Sequence, residues 1–127
     1  MKESTMHIEQ LIHAMQQRPN MFMKDVRLDY IYYIISGYCG AQRDDAENSL
    51  DKKFCGWFTK WLQIWMQENG KIDALPYSVW WYETLLMLSE NEEEAIKLFF
   101  DLCELFFDDF YHKRGYFAWR NHTTAQG

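Results

Sequence analysis

The chain is short of the residues that interrupt regular structure, with only 2 Pro and 6 Gly among 127 residues. With 48% hydrophobic content, that scarcity argues against disorder. Long apolar runs are missing too. The longest candidates, Tyr30 to Ile35 and Leu85 to Leu88, fall far below the roughly 20 residues needed to span a bilayer. The opening Met1-Lys2-Glu3-Ser4 has no apolar signal core, so secretion by the usual route is not expected. Cysteine is sparse and odd in number. Cys39, Cys55 and Cys103 each sit inside an apolar run, which fits reduced, buried thiols of a cytoplasmic protein rather than a disulfide framework. Scattered glycines leave no phosphate-binding loop. Basic residues are outnumbered, 13 against 19 acidic, for a net charge of -6. Lys52-Lys53 and Lys113-Arg114 are the adjacent basic pairs, and they make no stripe that could track phosphates. Nucleic acid is therefore not an expected partner.

Aromatic and acidic residues are abundant instead. The chain carries 9 Phe, 8 Tyr and 6 Trp, large rigid groups that supply contact area at low entropic cost. Surplus acid steers a protein towards basic partners. Length and composition fit one domain over 1–127, long enough to bury a core without staples, with 119–127 as a frayed tail.

Apolar periodicity divides the chain into about five helices. Ile8, Leu11, Ile12 and Met15 make one stripe, with Ser4 or Thr5 as cap and Arg18-Pro19 as stop. The apolar loop Pro19 to Met23 is expected to fold back on the core. A second helix starts near Asp25 and turns Leu28, Ile31, Ile35, Tyr38 and Cys39 inwards. Gly37 inside it costs about 1 kcal/mol relative to Ala, so a close helix contact is expected there. The polar run 43–49 reads as a solvated loop. A third helix spans about Asp51 to Asn69, bears Phe54, Trp57, Phe58, Trp61 and Trp65, and stops at Asn69-Gly70. The fourth follows Pro76, with Ser78 as cap. Its nearly all-round apolar surface, from Val79 to Leu88, predicts the central helix. The fifth opens on a capping box, Asn91 with Glu94 or Ser89 with Glu92, and ends at Lys113-Arg114 before Gly115. No strand shows convincing alternation, so the expectation is an all-α bundle.

Catalytic constellations are scarce. Glu104, Asp108 and His112 share one helix face at i, i+4 and i+8, a row that could ligate a metal or move protons. A di-metal bundle needs Glu-x-x-His pairs on two helices. Only Asp109-x-x-His112 comes near, and the plain alternative is a solvated face. The cysteines have no neighbouring His to serve as base. Neither an enzyme nor a cofactor is expected.

A binding surface fits better. Asp44, Asp45 and Glu47 form one acidic cluster, Glu90 with Glu92 to Glu94 a second, and Glu104, Asp108 and Asp109 a third. Helix capping explains the second by itself. Asp108 and Asp109 lie near a helix C-terminus, where acid is mildly unfavourable and invites a functional reason. Trp80 and Trp81 are consecutive and cannot face the same neighbour, so one or both are candidate anchors. Asp44, Asp45, Glu47, Glu104, Asp108, Asp109, Trp80 and Trp81 are the expected partner-binding residues. Monomer and homodimer fit equally.

Arg18-Pro19-Asn20-Met21-Phe22, followed by an apolar helix ending Ile35-Ser36-Gly37-Tyr38, resembles a pattern in small bacterial immunity proteins. So does the Trp-bearing helix followed by Glu92-Glu93-Glu94-Ala95 and Leu98-Phe99-Phe100. Such proteins neutralise toxins of contact-dependent growth inhibition and related polymorphic systems. The resemblance implies a cytoplasmic inhibitor that occludes a basic toxin domain, a nuclease in many such systems. It carries over no catalytic or binding residue, because these interfaces diverge with their toxins. A helical adaptor for another basic surface is the alternative, and a small metal-dependent enzyme using Glu104, Asp108 and His112 is the second alternative.

Overall fold

The structure, a computed structural model, describes residues 7–42, 49–70, 80–114 and 116–117. It is all-α: among these residues there are five helices and no strand. They are α1 (Ile8–Gln17), α2 (Leu28–Gly40), α3 (Leu50–Glu68), α4 (Trp81–Leu88) and α5 (Glu92–Tyr111), with a 3-10 turn at Pro19–Met21. The chain groups into two compact units, Met1–Gly56 and Trp57–Gly127. The 119–127 tail, the Ser4 and Thr5 caps, the 43–48 loop, Pro76 and Ser78 lie outside the described residues.

In the first unit α1 packs on α2. Ile8, Leu11, Ile12 and Met15 are buried from α1, and Leu28, Ile31, Ile35 and Cys39 from α2, as the periodicity predicts. Arg18 leaves the helical region ahead of Pro19, and its N–H donates to Ala14 O at 2.8 Å. The apolar loop folds back only in part, with Met23 buried and Met21 exposed. The start of α1 is held from a distance. Asp51 Oδ1 accepts the Ile8 N–H at 2.7 Å, and its Oδ2 lies 2.9 Å from His7 Nδ1. A carboxylate on the orphan donors at the positive end of a helix is a favourable cap. His7 N–H completes it by donating to Gln10 Oε1 at 2.7 Å. The close contact expected at Gly37 is not there. Gly37 is exposed, and a Cβ added to it meets nothing within 4 Å.

The second unit is organised by aromatic rings. Phe58 of α3 lies with ring centroids 5.9 Å from Trp61, Trp81 and Phe99, and 5.4 Å from Phe106. Three of these four pairs are edge-on, the arrangement the ring quadrupole favours. Trp81 stacks on Phe99 at 5.0 Å, and Phe106 meets Phe117 edge-on at 5.2 Å. Gly70, with φ of 61°, ends α3 as the sequence predicts.

Two expectations for this unit are corrected. Helix α4 is not central: it has only two turns and buries Trp81, Thr84 and Leu85, while Leu86 and Met87 are exposed. Eight residues offer one buried stripe, and the apolar residues beyond it remain on the surface. Helix α5 ends at Tyr111, short of the Lys113-Arg114 end that the sequence marks. Lys113 takes the left-handed position at φ of 56°, with Arg114 N–H on Asp109 O at 2.9 Å and Lys113 N–H on Phe110 O at 3.4 Å. This Schellman pattern ordinarily uses glycine.

Candidate interaction face

Helix α5 separates its residues sharply by period. Ala95, Phe99, Phe100, Leu102, Cys103, Phe106 and Phe107 are buried. Its N-terminus is closed by Asn91 Oδ1, which accepts the Glu94 N–H at 2.8 Å, while Glu94 Oε1 accepts the Glu90 N–H at 3.0 Å. Of the two registers the sequence offers, Asn91 is the cap, although Glu94 reaches the Glu90 N–H rather than that of Asn91 and so leaves the expected box unclosed, and Ser89 ends α4 instead. Glu93, Lys97, Asp101, Glu104, Asp108 and Tyr111 follow one another along the exposed side at intervals of three and four residues. Leu105, 48% exposed, and Tyr111, 57% exposed, put apolar surface among these charges.

The charges are not equally available. Asp108 pairs with Arg114 Nη2, and its Oδ1 lies 3.1 Å from His112 Nδ1. Asp109 is half-buried, and its Oδ2 accepts the Trp61 indole N–H at 2.9 Å while Oδ1 lies 3.4 Å from Arg114 Nε. Both therefore have structural duties that answer the question their position raises. Glu93, Asp101 and Glu104 make no ion pair among the described residues, and Lys97 is the one cation in their row.

Between the end of α4, the start of α5 and α3 lies a surface pocket of about 280 Å³ lined by Trp65, Leu88, Ser89, Glu94, Lys97, Leu98 and Asp101. An aromatic and two leucines form its apolar part, and charged groups share its lining. Four of its seven lining residues are polar or charged, so an apolar wall stands beside charged groups. Sequence reading missed this pocket. Its signal was present as Glu94, Lys97, Leu98 and Asp101, which stand at i, i+3, i+4 and i+7, but their meeting with Trp65 and Leu88 depends on how the helices cross.

The remaining expected residues divide. Trp80 is 47% exposed and remains a candidate anchor. Trp81 is corrected to a core residue: it is 0% exposed, stacked on Phe99, with its backbone N–H donated to Thr59 Oγ1 at 3.2 Å. Asp44, Asp45 and Glu47 lie outside the described residues. Glu104, Asp108 and His112 share a face, but among the described residues no three acids, histidines or cysteines assemble into a group that could hold a metal. Burial pushes the Cys103 thiol well above its ordinary range. Among the described residues no helix is long and apolar enough to cross a membrane.

Compared with protein-family models, with curated proteins and with solved structures, the chain matches none.

Proposed function

We propose that this chain is a binding protein that covers a basic protein surface with the outer face of α5, acting as the immunity protein of a bacterial toxin. The observation that carries the binding reading is the row of exposed carboxylates without ion pairs among the described residues, Glu93, Asp101 and Glu104, with Lys97 the one cation among them, beside a pocket walled by Trp65. Such a face pairs long-range attraction with a desolvated anchor. Charge sets the encounter rate, and the buried contact sets the lifetime. A toxin that holds RNA or DNA presents a basic active site, and an acidic cover competes there with phosphate. The toxin half of the reading rests on the sequence resemblance.

The test is affinity capture from the native host with washes of rising salt, the captured proteins being identified by mass spectrometry. A single basic toxin domain, lost when Glu93, Asp101 and Glu104 are together changed to lysine, is the expected result. A housekeeping protein held by the same face would replace the toxin reading with the adaptor. Capture unaffected by the triple change would remove α5 as the binding surface.

A further inference from the structure

Two of the three cysteines meet. Cys39 closes the last turn of α2 and Cys55 stands in the second turn of α3, 16 residues apart in sequence, with their sulfurs 4.0 Å apart. A disulfide needs about 2.0 Å between sulfurs. Rotation about the Cα–Cβ bonds of the two residues moves each sulfur by that order of distance. Cys39 is buried and Cys55 half-buried, so only one of the pair meets solvent readily. Each is followed directly by a glycine, Gly40 and Gly56, and a Cβ added to either glycine meets nothing within 4 Å.

We propose that Cys39 and Cys55 form a reversible dithiol–disulfide pair, closed by exchange with a low-molecular-weight disulfide of the glutathione type. Cys55, the more exposed sulfur, attacks as thiolate. One sulfur of the reagent joins Cys55, the other leaves as thiolate, and the reagent's S–S bond is the one broken. Cys39 then attacks the Cys55 sulfur, gives up its proton, and displaces the second half of the reagent as a thiol. One disulfide is reduced to two small thiols, and two protein thiols are oxidised to one disulfide.

The surroundings assign these roles. The hydrogen bond with Cys55, then burial, then the charges of Cys55 and Asp51 hold the Cys39 thiol far above its ordinary range. Cys39 therefore stays protonated, and Cys55, the more exposed sulfur, is the one that attacks first. Once Cys55 is capped in the mixed disulfide, its hydrogen bond and charge no longer hold the Cys39 thiol up, and burial and Asp51 are the causes that remain. The product ties α2 to α3 within the first unit. Cys103, fully buried on α5 in the second unit, takes no part.

The experiment equilibrates the whole chain in glutathione mixtures from fully reduced to fully oxidised, then quenches it in acid and alkylates the denatured protein. Mass spectrometry counts the alkyl groups. Three are expected at the reduced end and one, on Cys103, at the oxidised end, with all three returning after dithiothreitol. Cys103→Ser should close in the same way. Cys39→Ser should stall with one glutathione held on Cys55. Three alkyl groups at the oxidised end, or wild-type protein stalled with glutathione on Cys55, would overturn the pair.

Discussion

The indole N–H of Trp61 donates to Asp109 Oδ2 at 2.9 Å, joining α3 to the last turn of α5 across 48 residues of sequence. Trp61 is buried, so its N–H has nowhere else to go, and Asp109 answers it with a charged acceptor. The acid near the C-terminus of α5 is thus part of how the second unit holds its aromatic core.

Asp109→Ala should destabilise the protein by about 1–2 kcal/mol, because it leaves a buried donor unsatisfied. Asp109→Asn keeps an acceptor and should recover part of the loss. Thermal unfolding followed by near-ultraviolet circular dichroism checks both. An alanine variant as stable as wild type would remove the structural role of this pair.

The adjacent tryptophans should behave as opposites. Trp81 meets Phe58 and Phe99 and is fully buried, so Trp81→Ala should cost about 3–5 kcal/mol. Trp80→Ala removes a half-exposed ring and should cost less than about 1 kcal/mol. Urea unfolding of the two variants side by side measures the contrast, and equal costs would contradict the burial pattern.

The same pair shows what was legible in the sequence. Apolar residues at i, i+3, i+4 and i+7 located α1, α2, α3 and α5 and most of their buried residues, because one helix face is a local property. Helix ends were legible where a local device sets them, as at Arg18-Pro19, Asn69-Gly70 and Asn91 with Glu94. Trp80 and Trp81 could not be told apart, since Trp81 is buried by Phe58 and Phe99 from two other helices. The cap that Asp51 supplies to Ile8 from 43 residues away has no local trace either. The acids at 108 and 109 looked superfluous only while Arg114 and Trp61 were not known to lie beside them.

Lys113 is a place where the chain carries strain that a substitution should relieve. A lysine in the left-handed region costs roughly 1 kcal/mol more than glycine. Lys113→Gly should therefore stabilise by about 0.5 kcal/mol at most, once the added freedom of the unfolded chain is subtracted. A rise of about one or two degrees in Tm is expected. A fall would mean that the lysine side chain contributes more than its backbone costs.

Asp29 offers a pH-dependent observable. Arg27 reaches both carboxylate oxygens at 3.0 Å and lies over the Tyr30 ring at 4.9 Å. The hydrogen bond from Arg27 lowers the Asp29 pKa from its ordinary 3.8, with a further contribution from the Arg27 charge and opposed by desolvation. A carboxyl lowered on folding favours the folded state above its unfolded pKa, and that contribution fades as pH falls through the folded value. Arg27→Gln should return Asp29 to the ordinary range in a carbon-detected NMR titration. An unchanged midpoint would show that Arg27 is not its partner in solution.

Charge and pocket on α5 should separate kinetically once a partner is in hand. Glu104→Lys alters a fully available charge, so it should slow association and flatten its salt dependence while leaving dissociation nearly unchanged. Trp65→Ala empties the apolar wall of the pocket, so it should speed dissociation, by about 30-fold if the ring is an anchor worth 2 kcal/mol. Surface plasmon resonance at two salt concentrations resolves the two rates. Each variant's Tm is measured first, because Trp65 is also part of the fold. If Glu104→Lys instead changed only dissociation, its carboxylate would be buried in the complex and the interface would extend further down α5. If neither variant changed either rate, the bound surface would lie elsewhere on the protein, and the acidic row would be a solvated face.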